Sequence, residues 1–360
     1  MPETSTFGQI RPSASHANAF DALRLVLAIM VVYSHAHLVG GFASDPWIGF
    51  TKDQMSAGRL GVLGFFGISG YLISASYDRS RTPWAYLNRR VRRIFPAFYA
   101  SLVVSAFVIG PLIFALKPGG RLADYPLTGS GGALQYIYAN AFLHMRSWGI
   151  AGMLDGLPFF GSLNGSLWTL FPEFVCYLGV LAVGVCTALP QRRIFLLLWA
   201  AIAFGFNFAL AAVPGATYPL LPTFVALSDT APFICAFAAG ACCWAFRDEI
   251  SVGPGPTLLV GMSALVLLHY GGWMIAGPVL FPVFVLSLAQ SFELRLRHDF
   301  SYGVYIYHFP CQQLLARTGI VHGSYAVFFL SSLALTFAFA IPSWFLVERP
   351  FLQQRQPAGP

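Results

Sequence analysis

The chain has 360 residues, 57% of them hydrophobic and only 10% charged, and its mean hydropathy is +0.66. Soluble domains carry about 25% charged residues, so a water-soluble globule is excluded, as are a disordered chain, a coiled coil, a collagen-like repeat and a free nucleic-acid binder. The formal charge of +7, carried by 19 arginines with Lys52 and Lys117, is read against lipid headgroups and not against nucleic acid.

In chain order, residues 1–19 are polar, lack an apolar signal-peptide core and read as a cytoplasmic tail. A helix needs roughly 20 apolar residues to cross a bilayer. Such stretches lie near 20–42, 58–77, 94–116, 163–188, 193–213, 230–246, 256–273, 277–291, 301–317 and 324–347. The expectation is an all-α integral membrane protein of about ten transmembrane helices, with one membrane domain over 20–350 and a cytoplasmic C-terminal tail over 351–360. The 277–291 stretch is short and interrupted by glycine and proline, and 133–148 could form a surface or re-entrant helix.

Cytoplasmic loops carry the Lys/Arg excess of multi-span proteins. With both termini inside and ten crossings, fourteen basic residues fall on the inner side, among them Arg11, Arg192, Arg193, Arg247, Arg295 and Arg355. Six fall outside, namely Lys52, Arg59, Lys117, Arg121, Arg146 and Arg317, and Arg24 lies within the first span. The outer segment from Lys117 to Leu163 is the only loop with room for further structure, and loops of that length are uncommon unless functional. No half-chain repeat is visible. The six cysteines fall in apolar stretches without metal-ligand spacing and read as small buried hydrophobes, so no metal is expected.

Ionisable residues are rare inside the spans: Asp21, Arg24, His35 and His37, then Glu173, His269 and His308. Such groups are costly in hydrocarbon and mark site candidates, although a lone histidine or a snorkelling arginine often serves structure. Eleven residues separate Arg24 from His35, a rotation about 20° from three full turns, so they share one helix face. His35 stands roughly 16 Å above Arg24, and Glu173 about 15 Å into the fourth span, so the two could meet at one level. The run NRRVRRIFP from Asn88 to Pro96 puts four arginines at the start of the third span. There they would repel the positive end of the helix dipole, and a bound phosphate would relieve both; a lipid-phosphate anchor is the plainer reading. Gly67-Ile68-Ser69-Gly70 has the G-x-S-G form of intramembrane serine proteases, but such glycines more often serve close helix packing.

Six segments in order resemble the acyltransferase-3 membrane proteins, which O-acylate surface and extracellular polysaccharides among other acceptors. They are FDALRLVLAIMVVYSHA (Phe20 to Ala36), GVLGFFGISGYLI (Gly61 to Ile73), the run ending RRIFPAFY, NGSLWTLFPEF (Asn164 to Phe174), SYGVYIYHFP (Ser301 to Pro310) and ERPF (Glu348 to Phe351). Leu63-Gly64 and Pro172 depart from the pattern of many members. The resemblance implies a multi-pass protein of the inner (cytoplasmic) membrane. It would hold no permanent cofactor and use acetyl-CoA or another acyl-CoA as co-substrate. Arg89, Arg90, Arg92 and Arg93 would hold the donor phosphates, His35 would match the essential histidine, Arg24 its partner and Glu173 the acidic position.

On these residues the expected chemistry is O-acyl transfer to a carbohydrate hydroxyl. His35 acts as base or as a transient acyl-imidazole, Glu173 or Asp21 fixes its tautomer, and Arg24 contacts the donor. His308, Trp168 and Arg146 are expected on the acceptor side, with Arg121, Asp124, His144, Trp148 and Asp155 in the same outer loop. The expected partners are acyl-CoA, a carbohydrate acceptor and membrane lipid, and no residue pattern specifies an oligomeric state. The alternative is a transporter or flippase of a lipid-linked sugar, which would commonly show repeated halves.

Overall fold

The computed structural model describes residues 5–6, 19–187, 189–212, 227–291, 294, 296–319 and 323–353. Arg11, Arg295 and Arg355, most of the N-terminal tail and residues 354–360 lie outside the described residues. The chain is helical: α1 Phe20–Val39, α2 Pro46–Phe50, α3 Ala57–Asp78, α4 Pro83–Val104, a π-helical turn Ser105–Ile109, α5 Gly110–Ala115, α6 Ala133–Asn140, α7 Leu170–Cys186, α8 Leu189–Ala212, α9 Leu227–Ala245, α10 Pro254–Tyr270, α11 Trp273–Ser291, α12 Ser301–Thr318, α13 Tyr325–Ser343, a second π-helical turn Trp344–Glu348, and α14 Arg349–Gln353. Ser5–Thr6 pairs antiparallel with Ser251–Val252.

Each of the ten apolar stretches falls on a helix. Among the described residues, seven helices are long and apolar enough to cross a membrane; Asp229–Ala245 and Pro254–Tyr270 are shorter apolar helices. The protein is thus a multi-pass membrane protein. α12 misses the hydropathy of a span because tyrosine, histidine and glutamine interrupt it.

The third span starts earlier than expected. Thr82 Oγ1 accepts from the Ala85 N–H (3.1 Å) and Pro83 opens the helix, a Thr-Pro start signal. Arg89 to Arg93 therefore sit in the second and third turns of α4, past the reach of the dipole at its N-terminus.

The chain divides into two compact units whose borders cut α1, α4 and the start of α7. The first comprises Met1–Leu27, Pro46–Tyr86 and Pro172–His298. Its main contact is α3 on α9, and glycines permit it: a Cβ on Gly70 would lie 1.9 Å from the Phe237 carbonyl oxygen, and one on Gly240 2.0 Å from that of Gly67. The G-x-S-G glycines thus serve backbone approach. His269 is satisfied by the Phe50 carbonyl (3.0 Å).

The second unit comprises Ala28–Asp45, Leu87–Phe171 and Asp299–Pro360. At its heart lies α12, in which every residue from Ser301 to Gln313 is buried. The outer segment is folded by polar side chains. Buried Asn140 accepts from the Arg146 and Ser147 N–H groups (2.8 and 3.0 Å) and donates to the Ser147 carbonyl (2.8 Å). Arg317 donates to the Met153 and Asp155 carbonyls (2.8 and 2.7 Å). The helix expected within 133–148 stops at Asn140. His37 donates to the Ala43 carbonyl (2.8 Å) and stacks on Tyr325, a structural role. No cysteine is in a disulfide among the described residues; four are buried, Cys242 is half-buried, and Cys186 is exposed, against the expectation for it.

Candidate active site

The site in the second unit grows from a proline. Pro310 inside α12 has no N–H, which frees the carbonyl of Ile306, one turn back. A buried carbonyl must find a donor. Asn164 supplies it, donating Nδ2–H to the Ile306 oxygen at 2.8 Å while its Oδ1 accepts from the Ser166 hydroxyl at 2.7 Å. Between them Gly165 lies against the Phe309 ring, where an added Cβ would come within 2.7 Å of the ring carbons. The Tyr305 hydroxyl donates to the Ser166 carbonyl (3.0 Å) and meets the Thr169 hydroxyl at 2.6 Å. The two motifs NGSLW and YHFP are in this way one interlocked structure.

His308 lies among these contacts on the same turn of α12 and is fully buried. Its Nδ1 faces the carbonyls of Tyr305 (2.8 Å) and Val304 (3.3 Å). Carbonyls only accept, so Nδ1 carries the proton and Nε2 carries the lone pair. That Nε2 lies 2.8 Å from Nδ1 of His35. In the neutral pair, Nδ1 of His35 must then be the donor. Its own lone pair is left on Nε2, on a half-buried ring. The rings are nearly parallel (6°, centroids 5.1 Å apart), and Phe309 packs edge-on against His35 at 5.0 Å. Gln312, one turn after His308, donates to the Val32 carbonyl (2.9 Å), so two residues on one face of α12 hold α1 in register beside His35.

The partner that fixes the tautomer of His35 is thus His308, where the sequence pointed to Glu173 or Asp21. Glu173 lies in the first unit and accepts from Ser69 (2.7 Å) and Tyr177 (2.6 Å). It also stands in the first turn of α7, not ten residues into a span, because Asn164–Ser166 form a turn before the helix begins. A carboxylate there complements the helix dipole, as does Asp21 in the first turn of α1. Arg24 is half-buried on α1, the helix that also carries His35.

Of the arginine run, Arg93 forms an ion pair with Asp299 (2.7 Å, side chains 17% and 10% exposed) and lies over the Tyr302 ring. It braces α4 against the start of α12, where Asp299 also accepts from the Ser301 N–H (3.1 Å). Arg92 accepts orientation from Asn88, to whose Oδ1 it donates (3.1 Å); Arg89 and Arg90 are half-buried. Trp168 is half-buried in the turn Leu167–Thr169, and Arg146 is exposed in the outer segment.

No individual role was expected of Asn164, Tyr305, Gln312 or Asp299, although Asn164 and Tyr305 lie in the quoted motifs. The available signal was Pro310, whose orphaned carbonyl demands a donor from elsewhere. Replacing Asn164 by leucine is expected to lower stability by about 1–3 kcal/mol, the cost of a buried carbonyl left unpaired. Thermal unfolding of the detergent-solubilised protein reads it; an unchanged midpoint would mean that the Ile306 carbonyl has another donor.

Three named proteins are similar along nearly their whole lengths. The O-acetyl transferase of Shigella phage Sf6 is 29% identical over 355 residues, covering 95% of this chain and 98% of that protein. Nodulation protein 10 of Rhizobium leguminosarum bv. viciae is 27% identical, covering 95% of both chains. The exopolysaccharide production protein ExoZ of Rhizobium meliloti (strain 1021) is 27% identical, covering 84% of this chain and 92% of that one. No solved structure matches the chain. The family model described as an acyltransferase domain matches residues 17–345, nearly the whole helical chain with both interlocked motifs and the histidine pair inside it, and the protein belongs to the acyltransferase-3 family.

Proposed function

We propose that this acyltransferase moves an acyl group, in the first instance acetyl, from a cytoplasmic acyl-CoA to a hydroxyl of a surface or lipid-linked carbohydrate, in the inner membrane with both termini in the cytoplasm. The observation that carries the reading is the directed pair His35–His308, which leaves a lone pair on Nε2 of His35. The acceptor hydroxyl gives its proton to that nitrogen as its oxygen attacks the thioester carbonyl. The C–S bond then breaks, and the proton leaves with the CoA thiolate. While His35 holds the proton, its positive charge is shared through Nδ1–H with His308, whose other nitrogen is held by two carbonyl dipoles; a carboxylate does this work in serine hydrolases.

Arg89, Arg90 and Arg92 would hold the donor phosphates, with Arg93 already bracing Asp299. Arg24 would contact the donor on the face of α1 that it shares with His35. Arg146 and Trp168 would line the acceptor side. An exopolysaccharide production protein and an O-acetyl transferase among the relatives support a carbohydrate acceptor and an acetyl donor.

The test is release of free CoA by the purified protein from acetyl-CoA when a glycan acceptor is supplied, together with ester analysis of surface glycans from cells with and without the protein. CoA release and a lost glycan ester are expected. Neither appearing would overturn the reading, and a flippase of lipid-linked sugar would consume no thioester.

A further inference from the structure

The first unit holds a cavity of about 440 Å³ at the ends of α3 and α9, beside α7 and the start of α8, lined by none of the residues given a role above. Its charged lining is Arg192, Arg193 and Arg247 against a single carboxylate, Asp78. That carboxylate is already engaged: one oxygen takes the Arg192 guanidinium and the other takes the Trp244 indole N–H at 2.7 Å. Arg193 pairs with Glu249, and both side chains are close to half exposed (42% and 50%), where water screens the attraction. Arg247 donates to the Trp244 carbonyl (2.9 Å) and stands 3.8 Å from Asp248.

Aromatic faces hold two of these guanidiniums in place. Arg192 lies 4.9 Å from the centre of the Tyr77 ring and Arg247 4.2 Å from that of Trp244. Gly184 makes room for Tyr77, since a Cβ there would lie 2.1 Å from its Cζ. Among the described residues, two polar groups of the lining have no hydrogen-bond partner: the hydroxyl of Ser74, a residue only 4% exposed, and the buried Nε of Arg192. Guanidiniums held in fixed orientations beside two unsatisfied polar groups call for an anion with several acceptor oxygens.

We infer that this cavity binds the phosphate ester of a ligand that reaches the membrane surface. Two sources share that chemistry, the phosphates of a free CoA, separate from the donor assigned to Arg89, Arg90 and Arg92, and the headgroup of an anionic glycerophospholipid. The phosphate site itself stands without the acyl-transfer reading; only the nucleotide source rests on it.

The full-length protein in nanodiscs tests it. The R193Q/R247Q variant removes two guanidiniums and leaves the Asp78–Arg192–Trp244 group intact. The probes are CoA, read as a dissociation constant, and phosphatidylglycerol against phosphatidylcholine, read as lipid retained by native mass spectrometry. The expected result is a loss of about tenfold or more for at least one probe. Loss for CoA alone assigns the nucleotide, loss for phosphatidylglycerol alone assigns the lipid, and loss for both assigns a site open to either. S74A, which removes only the orphaned hydroxyl, should shift the same probe in the same direction and serves if the double variant fails to accumulate. Binding of both probes unchanged by these variants, or no binding of either by the native protein, overturns the inference. If that happens while acetyl-CoA is still consumed, the cavity assignment falls and the enzyme assignment stands.

Discussion

Alanine in place of His35 is expected to abolish acyl transfer while the protein still accumulates in the membrane. Among the described residues the half-buried imidazole is joined to its surroundings by a hydrogen bond to His308 and by ring packing, so on the proposed reading its loss costs the base more than a structural strut. A positioned general base contributes about 10²- to 10⁴-fold to rate. CoA release at saturating acetyl-CoA and acceptor should fall by at least that range, with the apparent affinity for acetyl-CoA little changed. Near-normal turnover by H35A would end the role of Nε2 as proton acceptor. An acyl-imidazole route makes the same variant inactive, and a single turnover without acceptor separates the two, since only the covalent route releases CoA before a sugar arrives.

The second large effect belongs to His308. Removing it in H308A leaves Nδ1 of His35 without its acceptor, and the ring can then take the other tautomer, with the proton on the nitrogen that must receive one. A loss on the order of 10²- to 10⁴-fold in turnover is expected, of the size seen when a catalytic histidine loses the partner that orients it. H308Q discriminates position from charge. Its Oε1 can accept from Nδ1 of His35 and so restore the tautomer, but it cannot share the positive charge. Partial recovery over H308A, with KM for acetyl-CoA unchanged, is the expected pattern. Equal activity of H308A and the native protein would remove His308 from the mechanism.

The helices were legible because apolar length is a local property, and each stretch met its helix. The places where reading and structure part company have local causes too. Four arginines depress the hydropathy between Asn88 and Pro96, yet arginine is a good helix former and Thr82-Pro83 starts α4 well before them. Asn164 to Ser166 read as apolar helix because leucines surround them, whereas their side chains are spent on α12. At the site, Arg24 and His35 could be placed on one face of α1 by counting. The partner of His35 could not, because it lies 273 residues away and periodicity carries no information across that distance. Glu173 was the attractive substitute, since a glutamate in an apolar stretch demands a partner; its partners proved to be Ser69 and Tyr177.

The burial of α12 bears on how the protein is made. Its sequence is too polar to leave the translocation machinery sideways into lipid unaided, and lipid offers its glutamines and its proline-freed carbonyl nothing to bind. It can settle only where other segments have already prepared a proteinaceous slot, with Asn164 and Val32 waiting as its ports of attachment. The contact between His35 and His308 is therefore completed late, when α12 joins segments made before it.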